Sequence, residues 1–190
     1  VRRIFLAAVL LPLLVNLLLQ SYGWLVILGP GGMLNQTLMG LGLIKRPIML
    51  LYNQNGVLMG LVQTAFPLAV LPIASAMRGV ARSYEEAAAT LGASRFQVFR
   101  QVVLPMSLPG IITGATLVFA YNASSFVVPL LLGGRRVPML AVMVHDQIAP
   151  LMNWPAASAA GVVLIVTTLA IMTLSEYITG RRRRLLETSQ

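Results

Sequence analysis

The sequence predicts an all-α membrane protein: a polytopic helix bundle with a helix-turn-helix elbow on its cytoplasmic side. Three observations predict it. Hydrophobic residues make up 57% of the 190-residue chain and charged residues 10%, and the mean hydropathy is +0.83, far from the soluble average. Four apolar stretches reach the roughly 20 residues needed to cross a hydrocarbon core, without the alternation of a strand. Between the second and third lies a polar, basic island, Arg78 to Arg100, that carries helix-start signals.

The first stretch runs from about Ile4 to Leu28 and contains Pro12, Asn16 and Gln20. The second, about Gly56 to Met77, contains Gln63, Pro67 and Pro72. Helix breakers at membrane depth are tolerated where neighbouring helices or a wet cavity satisfy the freed backbone groups, which argues for a bundle lining a path. The third runs from about Leu108 to Leu131. The fourth, about Ala156 to Ile178, ends in Gly180 and Arg181 to Arg184, a stop at a cytoplasmic surface. Gly29-Pro30-Gly31-Gly32 opens an outer segment through Asn55, where Leu34, Leu38, Leu41 and Leu43 predict a short interfacial helix. Gly133-Gly134 opens a second outer segment through Pro155, with Met139, Leu140, Val142, Met143 and Ile148. Interfacial packing is the simpler reading of both, and an outer gate the alternative.

Counting Lys and Arg by side orients the chain. With both termini and the island on one side, Arg2, Arg3, Arg78, Arg82, Arg95, Arg100 and Arg181 to Arg184 gather there. Lys45, Arg46, Arg135 and Arg136 lie opposite, ten against four of the 14 basic residues. The excess of basic residues marks the cytoplasmic side of an inner-membrane protein. The same count explains the net charge of +9 without nucleic acid, because those ten flank apolar segments. The absence of cysteine excludes disulfides, thiolate metal sites and Cys nucleophiles, and the one histidine, His145, has no ligand cluster around it. No catalytic residues, metal or cofactor are therefore assigned. The chain enters an apolar stretch by Ile4 with no secretory-signal pattern before it.

The island has a local logic. Ser83-Tyr84-Glu85-Glu86 matches a capping box and predicts a helix from about Tyr84. Ala87-Ala88-Ala89 favours helix and leaves room for close approach by a partner. Gly92 supplies a turn that admits a left-handed backbone. Ser94 to Gln97 repeats the capping pattern, and Phe96, Phe99, Val102 and Val103 recur at helical spacing, predicting an apolar face. Pro105 is expected to halt this second helix and Pro109 to start the next span. A well-capped connection would account for each feature singly; the combined spacing asks for more.

Glu86-Ala87-Ala88, three residues, Gly92, nine residues, then Val102-Val103-Leu104-Pro105 resembles the cytoplasmic loop of permease subunits of binding-protein-dependent ABC importers. Val102 stands where that pattern has Ile. Ser21-Tyr22-Gly23-Trp24, Gly31-Gly32-Met33-Leu34-Asn35, Val127 to Gly134 and Asn153-Trp154-Pro155 look like the spermidine/putrescine-type permeases. Iron, opine and phosphonate permeases share parts of these signatures. The resemblance covers essentially the whole chain, 1–190, as one permease domain, and implies that about two N-terminal spans are missing from it. It further implies a coupling loop over about 79–105 that docks on a cytoplasmic ABC ATPase, a second permease subunit and an extracytoplasmic substrate-binding protein. This subunit would itself carry out no bond chemistry, and no phosphate-binding glycine loop with Lys and Ser/Thr is present to hold ATP.

Polar residues at membrane depth face a bundle interior or water, which makes Asn16, Gln20, Gln63, Tyr121, Asn122, Ser124 and Ser125 candidate path-lining groups. Helix–helix hydrogen bonding is the competing role of each. Asp146, the one carboxylate of the outer segments, can attract a cation together with His145 or bridge to Arg135 or Arg136. The rival classes are an ion-coupled secondary transporter, which normally carries an ionisable group inside a span, and an intramembrane enzyme, for which no constellation exists.

Overall fold

The structure is a computed structural model that describes residues 9–187; the side chains of Arg135 and of residues 178–187 are not described. Among the described residues it is helical, without strands. The chain divides into two compact units, one of residues up to Pro67 with Tyr121–Thr167, the other of Leu68–Ala120 with the chain from Thr168 onward.

In the first unit, residues 9–14 are helical, the chain breaks at Val15 and Asn16, and helix α1 follows over Leu17–Leu28. The helix breakers noted in the first expected span thus coincide with a break in the helix. Pro12 removes a backbone donor, and Asn16 competes for the backbone as a cap: its Oδ1 accepts from the Leu18 N–H at 2.9 Å. Gln20 sews the break together, its Nε2 donating to the carbonyls of Pro12 and Val15. Arg2, Arg3 and the start of that expected span lie outside the described residues.

Helix α2 spans Met33–Gly40. The interfacial helix expected from four leucines therefore contains Leu34 and Leu38 but not Leu41 or Leu43, because the chain turns at Gly42 with φ +71°. Asn35, fully buried, holds this outer segment closed. Its Nδ2 donates to the carbonyls of Gly29 and Ile48, both at 3.0 Å, and its Oδ1 accepts from the Ile48 N–H at 2.8 Å. Asn35→Leu would strand three backbone groups; at about 1–3 kcal/mol per orphaned buried group, the segment is expected to open locally. Faster amide exchange at Ile48, with the α3 core still protected, checks this.

Helix α3 runs over Gln54–Gly79, 26 residues, and its first half joins the core of this unit: Leu28, Leu51, Val57, Leu61, Val128 and Leu132. A Cβ at Gly60 would fall 2.6 Å from Leu132 Cδ1 and 2.7 Å from Val128 Cγ1, so only glycine lets the short helix over Val127–Gly133 approach so closely. The Tyr52 N–H donates to the Leu132 carbonyl at 2.6 Å, fixing the end of that helix. The second outer segment folds as a helix over Leu140–Ile148 that buries Ala141 and Val142.

In the second unit, helix α4 covers Arg82–Thr90 and α5 covers Arg95–Val98. The chain continues without a stop through a π turn, Phe99–Val103, and a further helical turn, Leu104–Met106. Pro105 does not halt the helix as expected. The wider register just before it, in which the Leu104 N–H reaches the Phe99 carbonyl, accommodates a residue that cannot donate. The halt comes at Ser107, where the axis bends by 62° into α6, Leu108–Ser124. Pro109 lies in the first turn of α6, where a missing N–H costs nothing. A Cβ at Gly110 would sit 2.2 Å from Ala76 Cβ and 2.8 Å from the Pro72 carbonyl oxygen, and one at Gly114 3.1 Å from the Ala69 carbonyl oxygen. Two glycines four apart thus bring α6 against the second half of α3, the close small-residue packing of membrane helices. The hydroxyls of Thr116 and Ser175 pair across to the last helix.

Within the third expected span, to Leu131, α6 ends at Ser124, the chain breaks at Ser125 and Phe126, and α7 is a separate helix over Val127–Gly133. The Leu140–Ile148 helix is α8. Helix α9, Trp154–Glu187, is 34 residues long and passes through Gly180 and the arginine block, which end the apolar composition but not the helix. Leu17–Gly40, Gln54–Gly79 and Trp154–Tyr177 are long and apolar enough to cross a membrane. Arg95–Met106 and Leu108–Ser124 reach that standard as one bent span.

Candidate functional site

The elbow is built by its turn. The Gly92 N–H donates to the Ala89 carbonyl at 3.0 Å and the Ala93 N–H to the Ala88 carbonyl at 3.2 Å, closing α4 with both bonds of a Schellman motif. Gly92 adopts φ +86°, and Ser94 opens α5 at once with the expected capping box: its Oγ accepts from the Gln97 N–H while Gln97 Oε1 accepts from the Ser94 N–H. The other expected box does not form. Helix α4 begins at Arg82, capped by Ala81 without a side-chain bond, and Glu86 turns to Arg82 at 3.2 Å instead of to Ser83. That pair is largely exposed and contributes a few tenths of a kcal/mol.

No residue of α4 is buried, Glu86, Ala87 and Ala88 included. Leu91 is 89% and Phe96 70% exposed, so apolar groups flank the turn with nothing packed on them among the described residues. The expected apolar face of Phe96, Phe99, Val102 and Val103 is corrected: Val98 and Val103 are the buried pair and both phenylalanines face out. Residues five apart share a face when the turn between them is π. Val102 is half-buried, while Leu104 and Pro105 are exposed. Between α4 and the π turn lies a cavity of about 680 Å³ lined by Arg82, Glu85, Glu86 and Arg95 over Val98 and Phe99.

The candidate path residues separate into two groups. Asn16 caps its own helix and Gln20 ties the break just before it, while Gln63 Oε1 accepts from the Trp24 indole N–H at 3.3 Å, the helix–helix bonding noted as its competing role. Tyr121, Ser124 and Ser125 are brought together at the break between α6 and α7. There they line a cavity of about 180 Å³ with Leu17, Phe126 and Val127. The Ser124 hydroxyl donates to the Tyr121 carbonyl at 3.0 Å. Gln20 Oε1, Asn122 Oδ1 and Ser125 Oγ are buried without a hydrogen-bond partner among the described residues.

Asp146 pairs with His145 at 3.3 Å. The alternative bridge to Arg136 does not form: Arg136 lines a separate cavity of about 470 Å³ with Tyr52, Asn53, Gln54 and Asn55. The Arg135 side chain lies outside the described residues. His145 also stacks on Phe126, ring centroids 5.4 Å apart and planes 17° from parallel. The sequence reading missed Leu17, Phe126 and Trp24 at these sites. Phe126 adjoins the polar run and was legible by adjacency, whereas Leu17 comes from a remote helix and carries no local signal.

The chain matches the family described as "Binding-protein-dependent transport system inner membrane component" over residues 1–184. It is 36% identical over 185 residues, 97% of its length, to the "Spermidine/putrescine transport system permease protein PotB" of Haemophilus influenzae, and spans 63% of that relative. It is 31% identical over 149 residues, 78% of its length, to the "Putative 2-aminoethylphosphonate transport system permease protein PhnU" of Salmonella typhimurium, and spans 52% of it. A similar fold, at 18% identity and a TM-score of 0.79, covers 95% of this chain and 65% of a chain in the "Crystal structure of bacterial alginate ABC transporter in complex with alginate pentasaccharide-bound periplasmic protein". By the extent of the family match and of the relatives' identity, this chain belongs to the inner membrane components of binding-protein-dependent transport systems.

Proposed function

We propose that this chain is the membrane-spanning permease subunit of an ATP-driven importer of polyamines, spermidine or putrescine. The observation that carries the reading is the 36% identity over 97% of the chain to a spermidine/putrescine permease. In this reading the elbow docks on a cytoplasmic ATPase through Glu86, Ala87, Ala88, Gly92, Val102, Leu104 and Pro105, and a second permease subunit completes the path. An extracytoplasmic binding protein delivers the substrate. The chain lies in the inner membrane with the elbow and both termini cytoplasmic, an orientation supported by the ten-to-four charge bias. Asn16, Gln20, Gln63, Tyr121, Asn122, Ser124, Ser125 and Asp146 are the candidate path residues, and those at the α6–α7 break have the strongest geometric support. A second reading, import of an aminophosphonate, is favoured by the 31% identity to the PhnU relative. The named substrates of both relatives carry a primary amine.

In proteoliposomes holding the complete transporter, radiolabelled spermidine and putrescine are expected to accumulate with ATP and binding protein and to be unaffected by an ionophore. Uptake abolished by the ionophore would identify an ion-coupled carrier; uptake of 2-aminoethylphosphonate with neither polyamine would select the second reading. Orientation is tested in intact cells, where Ser94→Cys is expected to be shielded from an impermeant thiol reagent and Asn53→Cys or Arg136→Cys to react. External labelling at residue 94 would reverse it.

A further inference from the structure

The break between α6 and α7 leaves buried polar atoms unpartnered among the described residues. Leu17, Tyr121, Ser124, Ser125, Phe126 and Val127 line its cavity of about 180 Å³, with no charged side chain among them. Ser125 is 9% exposed and its Oγ has no partner among the described residues. Three residues back, Asn122 Oδ1 is buried and equally unpartnered, although the backbone beside it is satisfied, the Ser125 N–H donating to the Asn122 carbonyl at 3.2 Å. A serine hydroxyl can accept as well as donate, so a ligand rich in N–H groups that enters the cavity relieves the cost of the Ser125 orphan. The backbone field has the same sign. Helix α6 has 17 residues and presents its negative, carbonyl end here, whereas α7 has seven and loses a first-turn donor at Pro129. Tyr121 and Phe126 add aromatic surface, which attracts cations. The space is on the order of six water volumes at about 30 Å³ each, enough for an ammonium head and a short methylene stem.

We propose that this cavity is a transit subsite for one primary ammonium group, which donates to Ser125 Oγ beside the rings of Tyr121 and Phe126. The subsite rests on the reading of the chain as a permease for amines and adds the group it recognises. Neutral acceptors suit transit, because a site on a conduction path must bind well enough to be entered and weakly enough to be left.

The test uses the absence of cysteine from this chain. Ser124→Cys, which lines the cavity without supplying the proposed acceptor, is placed in the complete transporter in nanodiscs, with partner subunits freed of their own thiols, and labelled with neutral methyl methanethiosulfonate. For a Kd of about 1 mM, about 10 mM n-butylamine is expected to slow labelling about tenfold, while n-butanol and n-butylphosphonate leave it unchanged. Adding Ser125→Ala is expected to cut the protection to less than about twofold, because the ammonium loses its hydrogen bond to the cavity wall. Equal protection by butanol, protection by the phosphonate alone, or no protection overturns the subsite. Should Ser124→Cys not assemble, the same readings are taken at Val127→Cys, which lines the same cavity. Amine protection in a transporter that imports no amine rejects the proposed function and leaves the subsite; polyamine import without protection does the reverse.

Discussion

Gly110→Leu is expected to prevent the second unit from packing. A Cβ alone would meet Ala76 Cβ at 2.2 Å and the Pro72 carbonyl oxygen at 2.8 Å. Neither is the mobile end of a long side chain, so α6 and α3 must separate along their length. Overpacking typically costs about 1–3 kcal/mol, and a clash with backbone on a helix pair lies at or above the top of that range. Loss of assembled complex in detergent, with α9 still inserted, is the expected result. Gly114→Leu should fall between it and the native chain, since the contacts there begin at 3.1 Å. Gly161→Ala, in α9 with nothing within 4 Å of the added carbon, should be neutral or gain up to about 1 kcal/mol from helix propensity. Normal assembly of Gly110→Leu would show that the two helices do not rely on this approach.

Gly92→Val acts by a different route. Open space surrounds its Cβ position, so the cost comes from φ +86° alone, a conformation that a β-branched residue resists by roughly 1–3 kcal/mol. The Schellman bonds then fail and α5 leaves its capped position, while the membrane helices, which make no use of this turn, stay inserted. If the elbow docks on an ATPase, binding-protein-stimulated ATP hydrolysis by the assembled complex is expected to drop at least tenfold. Gly92→Asn should retain most of it, because asparagine tolerates the left-handed region. Full stimulation in Gly92→Val would remove the elbow from the coupling path.

These two glycines mark where the sequence was legible. Gly92 announced its turn because the signal is local, a helix-favouring run on one side and a capping box on the other. Gly110 gave no comparable signal, since its reason lies on α3, more than thirty residues away. The same division runs through the polar residues. Composition located Asn16, Gln20 and Gln63 at membrane depth, but composition does not distinguish a side chain that caps a broken helix from one that faces a path. The structure adds the partners, the Leu18 N–H for Asn16 and the Trp24 indole N–H for Gln63. Hydrophobic length likewise ran the first and third spans through Asn16 and Ser125, because apolar runs report immersion and not helical continuity. Ser83 and Glu86 failed as a box for a related reason. The helix begins one residue earlier than the pattern implies, and Arg82 offers Glu86 an opposite charge one turn away.

The π turn over Phe99–Val103 bears on how this segment tolerates insertions and deletions. A turn of this kind amounts to one residue more than an α-helix of the same rise requires. A helical wheel drawn at uniform pitch from Arg95 to Met106 therefore assigns Leu104 and Met106 to faces about a quarter turn from the ones they occupy. Removing a single residue there would restore ordinary pitch, separate Val98 from Val103 and swing the bend at Ser107 around the helix axis. Side chains in the segment can be exchanged for others of similar size, whereas its residue count sets the direction in which the chain enters the membrane.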